Sequence, residues 1–201
     1  GDADAWRIPE WVAYEVKAQV GEHDPDVSPT WFTEDFLHLL GIAPDVDTYD
    51  LAGTNSMRVV KEDYRFIRAQ MCPPNVAQRI SEDAARNTHT LLNTVPQLQW
   101  TNRGVWRSLE ENVLDWADRF GRIWVVCGPV FFGKLPSLWL GQDDEERAAV
   151  PDALFKIVIR EEDREVKALA FLIPNILPKT QDDIWYFLTI IDQVEELTGI
   201  D

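Results

Sequence analysis

Apolar residues recur at intervals of three and four between Trp106 and Phe120. The set is Trp106, Leu109, Val113, Trp116, Ala117 and Phe120, and Gly121 follows it directly. This spacing places all six side chains on one face of a helix, and glycine commonly ends a helix. The sequence therefore predicts one long amphipathic helix that ends near Gly121 and buries its apolar face, so that Trp106 and Trp116 belong to the core.

Several shorter segments have the composition of β-strands or short helices. The predicted strands are Trp11–Ala18, Leu91–Val95, Ile123–Val126, Leu154–Arg160 and Val166–Ile173, which alternate or are rich in apolar and β-branched residues. A short helix is predicted around Thr33–Leu40. Another is predicted over Gln193–Thr198, with Thr189 and Asp192 as a capping-box-like pair and Gly199 as its end. Because strands and helices do not alternate regularly, the order favours an α+β fold over a doubly wound sheet.

The length and composition fit one globular domain spanning residues 1–201. The chain has 201 residues, 45% of them hydrophobic, which is enough apolar surface for a core and excludes a disordered protein. Its longest apolar runs, Ile123–Cys127 and Ala168–Ile173, are far shorter than the about 20 residues of a membrane-spanning helix. We therefore expect no membrane span.

The two cysteines, Cys72 and Cys127, are too few for a disulfide framework and lack the spacing of a metal finger. Cys127 lies in an apolar run, which predicts a buried thiol. A Cys72–Cys127 bridge remains an alternative that depends on geometry.

The net charge of −16 disfavours a general nucleic-acid binder, but the charge is unevenly distributed. Residues 1–50 contain 12 acidic and 2 basic residues, whereas residues 51–122 contain 8 acidic and 10 basic residues. A site for a polyanion is therefore expected in the middle of the chain. The acidic segment 21–50, which contains three prolines, is predicted to be a surface excursion that either lies away from this site or screens it.

Three polar residues in the middle of the chain have a spacing that could hold a cation. Asn93 is predicted at a strand end, followed by a turn at Pro96 and Gln97. Asn102 lies just before the long helix, and Glu110 lies about two helical turns further on. Oxygen ligands suit hard cations, and Mg²⁺ often keeps several waters while using few protein groups.

Two patterns, N-x-x-P-Q and N-x-G-x-W-x-x-L-E, occur in this part of the chain. The first contains Asn93, Pro96 and Gln97, and the second contains Asn102, Gly104, Trp106, Leu109 and Glu110. These patterns resemble the DNA/RNA non-specific endonuclease family, whose site is a ββα-metal (His-Me) finger. Further segments follow in the family's order, among them Cys127-Gly-Pro129, Val150-Pro-Asp-Ala153, Ala170-Phe-Leu-Ile-Pro-Asn175 and Glu196-Leu-Thr-Gly199. The resemblance implies a central, mainly antiparallel sheet with flanking helices and such a finger.

The resemblance also implies metal-assisted hydrolysis of phosphodiester bonds in DNA or RNA. Asn102 would bind one Mg²⁺ or Mn²⁺ ion, Arg68 would hold the phosphate, Asn93 would help to order the site, and Glu110 would support the water shell of the ion. Family members are often exported, which implies a secreted or periplasmic location. No membrane partner is implied, and the resemblance names no protein partner.

The chain departs from the family signature D-R-G-H, since it reads Ile67-Arg68-Ala69-Gln70. Gln70 stands where the family has its general-base histidine, and a glutamine amide does not titrate near neutral pH. Three interpretations stay open: an impaired endonuclease-like hydrolase, an inactive family member that acts as a binding protein, or a weak phosphodiesterase for a small substrate.

Each candidate residue also has an ordinary structural explanation. Arg68 could form a surface ion pair, Asn93 and Asn102 could be turn and cap residues, and Glu110 could face solvent. Gln70 could be an ordinary polar residue or an amide that orients a ligand. His89 is predicted to be a structural strand residue on the same face as Asn93.

Overall fold

The computed structural model describes residues 6–21, 30–49, 65–141, 146–177 and 183–200. Its strands are β1 Val12–Lys17, β2 Phe66–Gln70, β3 Thr94–Leu98, β4 Arg122–Val130, β5 Leu138–Leu140, β6 Ala148–Val150, β7 Ala153–Glu162, β8 Glu165–Pro174 and β9 Leu188–Thr189. Its α-helices are α1 Asp35–Leu39, α2 Pro74–Gln78, α3 Glu82–Asn87, α4 Gln99–Thr101, α5 Arg107–Phe120 and α6 Ile191–Thr198. A π turn, Asn102–Trp106, joins α4 to α5.

A five-stranded antiparallel sheet in the order β1-β4-β7-β8-β9 forms the centre of the structure. Strands β2 and β3 form a separate antiparallel pair, and β5 and β6 form another. The predicted α+β class with a mainly antiparallel central sheet is therefore confirmed. Among the described residues, no helix has the length and hydrophobicity that a membrane span requires.

The long helix α5 packs on the central sheet against β1 and β4. Leu109, Val113 and Ala117 are buried in this contact. Each large aliphatic side chain buried in this way stabilises the fold by about 1.5–3 kcal/mol. The helix ends at Gly121, which has φ 85° and donates its N–H to Ala117 O at 2.7 Å. The predicted amphipathic helix and its glycine end are confirmed.

The strand prediction at Leu91–Val95 is wrong in its position. Leu91–Asn93 form a 3₁₀ turn, and the strand begins only at Thr94. The Thr90 side chain accepts the N–H of Leu92 and so favours the turn. The turn predicted at Pro96 and Gln97 is also wrong, because both lie within β3. Proline is tolerated there because β3 pairs with β2 alone and lies at a sheet edge.

The C-terminal helix and the two cysteines decide four further predictions. Helix α6 begins at Ile191, two residues earlier than predicted, and its N-cap residue, Ile190, makes no side-chain cap. Thr189 lies at the end of β9, where its hydroxyl bonds the Gln193 side chain, so the capping-box prediction is wrong. Gly199 ends the helix with φ 72°, as predicted. Cys72 and Cys127 are both free thiols.

Candidate active site

Strands β2 and β3, the π turn and α5 together form a ββα finger, which borders a pocket of about 480 Å³. Four of the five predicted site residues line this pocket, namely Arg68, Gln70, Asn102 and Glu110. Further lining residues are Asn75, Gln78, Arg103, Arg107 and Glu111. The fold therefore brings together residues that are more than 40 positions apart in sequence.

Asn102 lies at the start of the π turn, and π turns within helices often occur at functional sites. Its Nδ2 donates to Gln97 Oε1 at 2.8 Å, so the amide does not cap the helix. Its Oδ1 has no hydrogen-bond partner among the described residues and is left as an acceptor. An amide oxygen held in this way fits a hard divalent cation.

Gln97 fixes the orientation of Asn102 from β3. Its side chain is fully buried, its Oε1 accepts from Asn102, and its Nε2 has no partner in the described part of the chain. Gln97 appeared in the sequence only as part of a motif and was assigned to a turn. Its contact with Asn102 is visible only in the structure, because β3 places the Gln97 side chain within reach of the first residue of the π turn.

We expect Gln97→Leu to weaken Mn²⁺ binding by about 10–100-fold, the usual effect of losing a group that orients a metal ligand. Thermal stability should stay close to that of the parent, since removing a buried amide nitrogen that lacks a partner offsets the loss of the bond to Asn102 Nδ2. Titration calorimetry with Mn²⁺ and a thermal unfolding curve measure the two quantities. An unchanged Mn²⁺ affinity would show that Gln97 does not orient the ligand.

Gln70 is the last residue of β2 and lies opposite Thr94. Its Nε2 donates to the carbonyl oxygen and the hydroxyl of Thr88, each at 3.1 Å. The amide is therefore anchored to the end of α3, where Thr88 lies. The structure thus places Gln70 at the wall of the pocket with its side chain fixed.

Asn93 lies behind the pocket wall and not in it. Its Oδ1 accepts from Cys72 N at 2.8 Å, and its Nδ2 donates to Cys72 O and Thr88 O, each at 2.9 Å. These bonds hold the loop after β2 and the residue that anchors Gln70. His89 is not on a strand with Asn93 as predicted. It lies in the turn after α3, where its Nδ1 is 3.3 Å from Ala85 O.

Arg68 connects the finger to the acidic segment. Its Nη2 donates to Val46 O at 2.6 Å, and its guanidinium carbon lies 5.3 Å from the ring centre of Trp31 and 5.9 Å from that of Tyr49. Phe32 also exchanges backbone hydrogen bonds with His89 and Leu91. Trp31, Val46 and Tyr49 therefore lie against β2, so this part of the acidic segment is close to the finger, although no described residue of the segment lines the pocket. Residues 22–29 and Asp50 lie outside the described residues.

Glu110 lies in the first turn of α5 and forms an ion pair with a lysine of the central sheet. No sequence motif indicated this lysine. Lys156 on β7 is fully buried, and its Nζ lies 3.7 Å from Glu110 Oε1. The same Nζ lies 4.1 Å from the ring centre of Trp106, which is buried as predicted. Burial raises the pKa of the Glu110 carboxyl, and the charge of Lys156 opposes this rise.

The donor groups of the pocket suit a cation that keeps most of its water. No group of three histidine, cysteine or acidic side chains that could hold a metal occurs among the described residues. A dehydrated ion would need such a group, whereas a hydrated Mg²⁺ needs one or two protein oxygens. The Asn102 oxygen meets this requirement, and Arg103 lines the same pocket as a positive charge for an anion, whereas Arg107 pairs there with Glu111 at 2.9 Å.

Comparison with curated proteins identifies nucleases over most of the chain. This chain is 27% identical to the mitochondrial nuclease EXOG of Danio rerio over 194 aligned residues. The alignment covers 86% of this chain and 55% of the relative. Human mitochondrial EXOG is 27% identical over 211 aligned residues, and this alignment covers 98% of this chain and 52% of the relative. Mitochondrial endonuclease G of Bos taurus is 24% identical over 152 aligned residues, and this alignment covers 71% of this chain and 50% of the relative. The chain thus spans about half the length of the curated relatives it matches.

Solved structures give the same fold. A chain in the crystal structure of the EndoG/EndoGI complex matches with a TM-score of 0.75 and 21% sequence identity, over 96% of this chain and 78% of that chain. The profile of the DNA/RNA non-specific endonuclease family matches residues 4–201. The resemblance seen in the motifs is therefore confirmed, and the chain belongs to the DNA/RNA non-specific endonuclease family.

Proposed function

We propose that this chain is a metal-dependent, non-specific endonuclease-like protein that binds DNA or RNA at the ββα finger and hydrolyses phosphodiester bonds slowly. The observation that carries the proposal is the Asn102 amide, which Gln97 orients within a pocket that also presents arginine side chains. One Mg²⁺ or Mn²⁺ ion at Asn102 would supply charge stabilisation for the phosphate and the leaving oxygen.

The residues of the chain divide this work according to their chemistry. Asn102 would hold the ion through its side-chain oxygen, and Gln97 fixes the Asn102 amide by accepting a hydrogen bond from its nitrogen. Arg103 would attract the phosphate, Arg107 would do so only by exchanging its partner Glu111, and Arg68 connects the pocket to residues 30–49. Glu110 would accept hydrogen bonds from water around the ion, and Asn93 fixes the loop that supports Gln70.

The slow rate follows from Gln70. An amide cannot take a proton from the attacking water near neutral pH, and the loss of a positioned base lowers a rate by about 10²–10⁴. The anchoring of Gln70 to Thr88 also keeps its nitrogen engaged within the protein. The ion and the arginines remain to support the residual reaction.

A second candidate is an inactive binding protein, and the charge distribution favours it. Residues 30–49, which are part of the acidic segment, lie against the finger through Arg68, and the whole chain carries −16. Repulsion of a polyanion by these groups would be strongest at low salt. A secreted or periplasmic location is also part of our proposal, and fractionation of the source cells tests it.

We expect the parent protein to nick plasmid DNA and cleave RNA in Mg²⁺ or Mn²⁺, and to stop when EDTA is added. Asn102→Ala should abolish this cleavage and weaken Mn²⁺ binding at least about tenfold, because the ion loses its protein ligand. Asn112→Ala is the matched control. That amide lies on α5 and donates to Ser108 O, so both properties should be unchanged.

The outcome also separates the two candidates. Metal-dependent cleavage that Asn102→Ala removes would exclude the inactive binding protein. Binding of DNA or RNA without any metal-dependent cleavage would exclude the hydrolase. Cleavage that survives in Asn102→Ala would show that the ion is held elsewhere.

A further inference from the structure

Lys156 is the most unusual charged residue in the described part of the chain. It lies in the middle of β7 with none of its surface exposed, although lysine is almost never fully buried unless it is paired. Its Nζ makes no hydrogen bond to any described residue. Its neighbours are the Glu110 carboxylate at 3.7 Å and the face of the Trp106 ring at 4.1 Å.

Glu110 supplies the negative charge that faces Lys156. The other titratable groups that interact with Lys156 are the thiols of Cys72 and Cys127, and burial raises the pKa of each to about 12. Both thiols are therefore neutral at physiological pH. Tyr14, which lies close to this group, has a pKa that burial raises as well. Among the described residues, Glu110 is thus the group that can balance the charge of the buried Lys156, and its own side chain remains 18% exposed.

This charge balance matters because Glu110 lines the same pocket as Asn102. A free carboxylate in a partly buried site attracts a divalent cation strongly, and it can replace water in the coordination shell. A carboxylate neutralised by a lysine from behind attracts the cation far less. The ion can then stay hydrated and rest on a neutral amide.

We propose that Lys156 is a positioning residue that sets how tightly the finger binds its divalent ion, by neutralising Glu110 and keeping this carboxylate out of direct coordination. The inference rests on the proposed function, since it assumes that the ion lies at Asn102. It predicts a change in metal affinity that is opposite in sign to the change expected from damage to the structure. Removing the lysine should make metal binding tighter.

The test compares Mn²⁺ affinity in four folded proteins by electron paramagnetic resonance: the parent, Lys156→Met, Glu110→Gln and the double variant. Lys156→Met keeps an unbranched apolar side chain against Trp106, and we expect it to bind Mn²⁺ about tenfold more tightly than the parent. The double variant should bind no more tightly than Glu110→Gln, because the released carboxylate is absent. Lys156→Arg, which keeps the charge, should stay within about threefold of the parent.

Circular dichroism and thermal unfolding establish that each variant is folded, and Lys156→Gln replaces Lys156→Met if the latter does not fold. An affinity for Mn²⁺ that is equal to or weaker than that of the parent in a folded Lys156→Met or Lys156→Gln protein overturns the inference. Absence of Mn²⁺ binding at millimolar concentration in the parent and in both of these variants overturns it too. Failure of the proposed function is measured separately, as the absence of plasmid cleavage or its survival in Asn102→Ala.

Discussion

The triple variant Gln70→His, Ala69→Gly, Ile67→Asp is expected to nick plasmid DNA about 10²–10⁴ times faster than the parent in Mg²⁺, the usual contribution of a general base. Residue 70 ends β2 and lines the pocket together with Asn102, so an imidazole there would face the same space as the ion. The other two changes restore the family signature around it. Ala69 is fully buried in β2, and glycine removes only its methyl group.

The pH dependence of the triple variant provides a second measurement. An imidazole must be neutral to accept a proton, and its ordinary pKa is about 6.5. The nicking rate should therefore rise between about pH 5.5 and 7.5 and then level off. The parent has no such group at residue 70 and should not show this rise.

Two controls isolate the contribution of the base. Gln70→Ala loses the same bonds to Thr88 but gains no base, and it should stay at or below the parent rate. Adding Asn102→Ala to the triple variant should remove the gain. A triple variant that is folded, binds Mn²⁺ and shows no gain would mean that residue 70 is not within reach of the attacking water. The function would then have to be sought in binding.

The parts of the fold that were predicted correctly depend on local periodicity. The stripe from Trp106 to Phe120 fixed the position of α5, and β-branched runs marked β4, β7 and β8. The strand prediction failed at Leu91–Val95 because the Thr90 hydroxyl accepts the N–H of Leu92, which favours a turn. The Asn93 side chain adds bonds to Thr88 and to Cys72, and Cys72 is 21 residues away and could not be identified as a partner from the sequence.

The sequence predicted four of the residues that line the pocket, but not the contacts that these residues make. Motif spacing identified Arg68, Gln70, Asn102 and Glu110, which line one pocket. It could not reveal Lys156, whose sequence neighbours Phe155 and Ile157 indicate only an apolar strand. The pairing with Glu110 arises from the packing of α5 on the sheet, which joins residues 46 positions apart. The catalytic roles of these residues stay predictions until the variants are measured.

Asn175→Ala is expected to lower the free energy of unfolding by about 3 kcal/mol, because buried polar groups left without partners cost about 1–3 kcal/mol each. The side chain is 1% exposed, and its Oδ1 accepts from Leu98 N at 2.8 Å. Its Nδ2 donates to Pro96 O at 3.1 Å and to Pro151 O at 2.9 Å. Alanine would leave three backbone groups without this partner, and chemical denaturation measures the loss.

The same substitution should also affect metal binding, since Asn175 bonds β3 on both sides of Gln97. The bonds to Pro96 O and Leu98 N fix the strand segment from which Gln97 orients Asn102. We therefore expect Mn²⁺ binding to weaken in Asn175→Ala even under conditions where the protein is fully folded. Asn112→Ala, an asparagine with one local bond on α5, should change stability by at most about 0.5 kcal/mol. Equal stability of the two variants would show that the Asn175 bonds do not anchor β3, and the orientation of Asn102 would need another support.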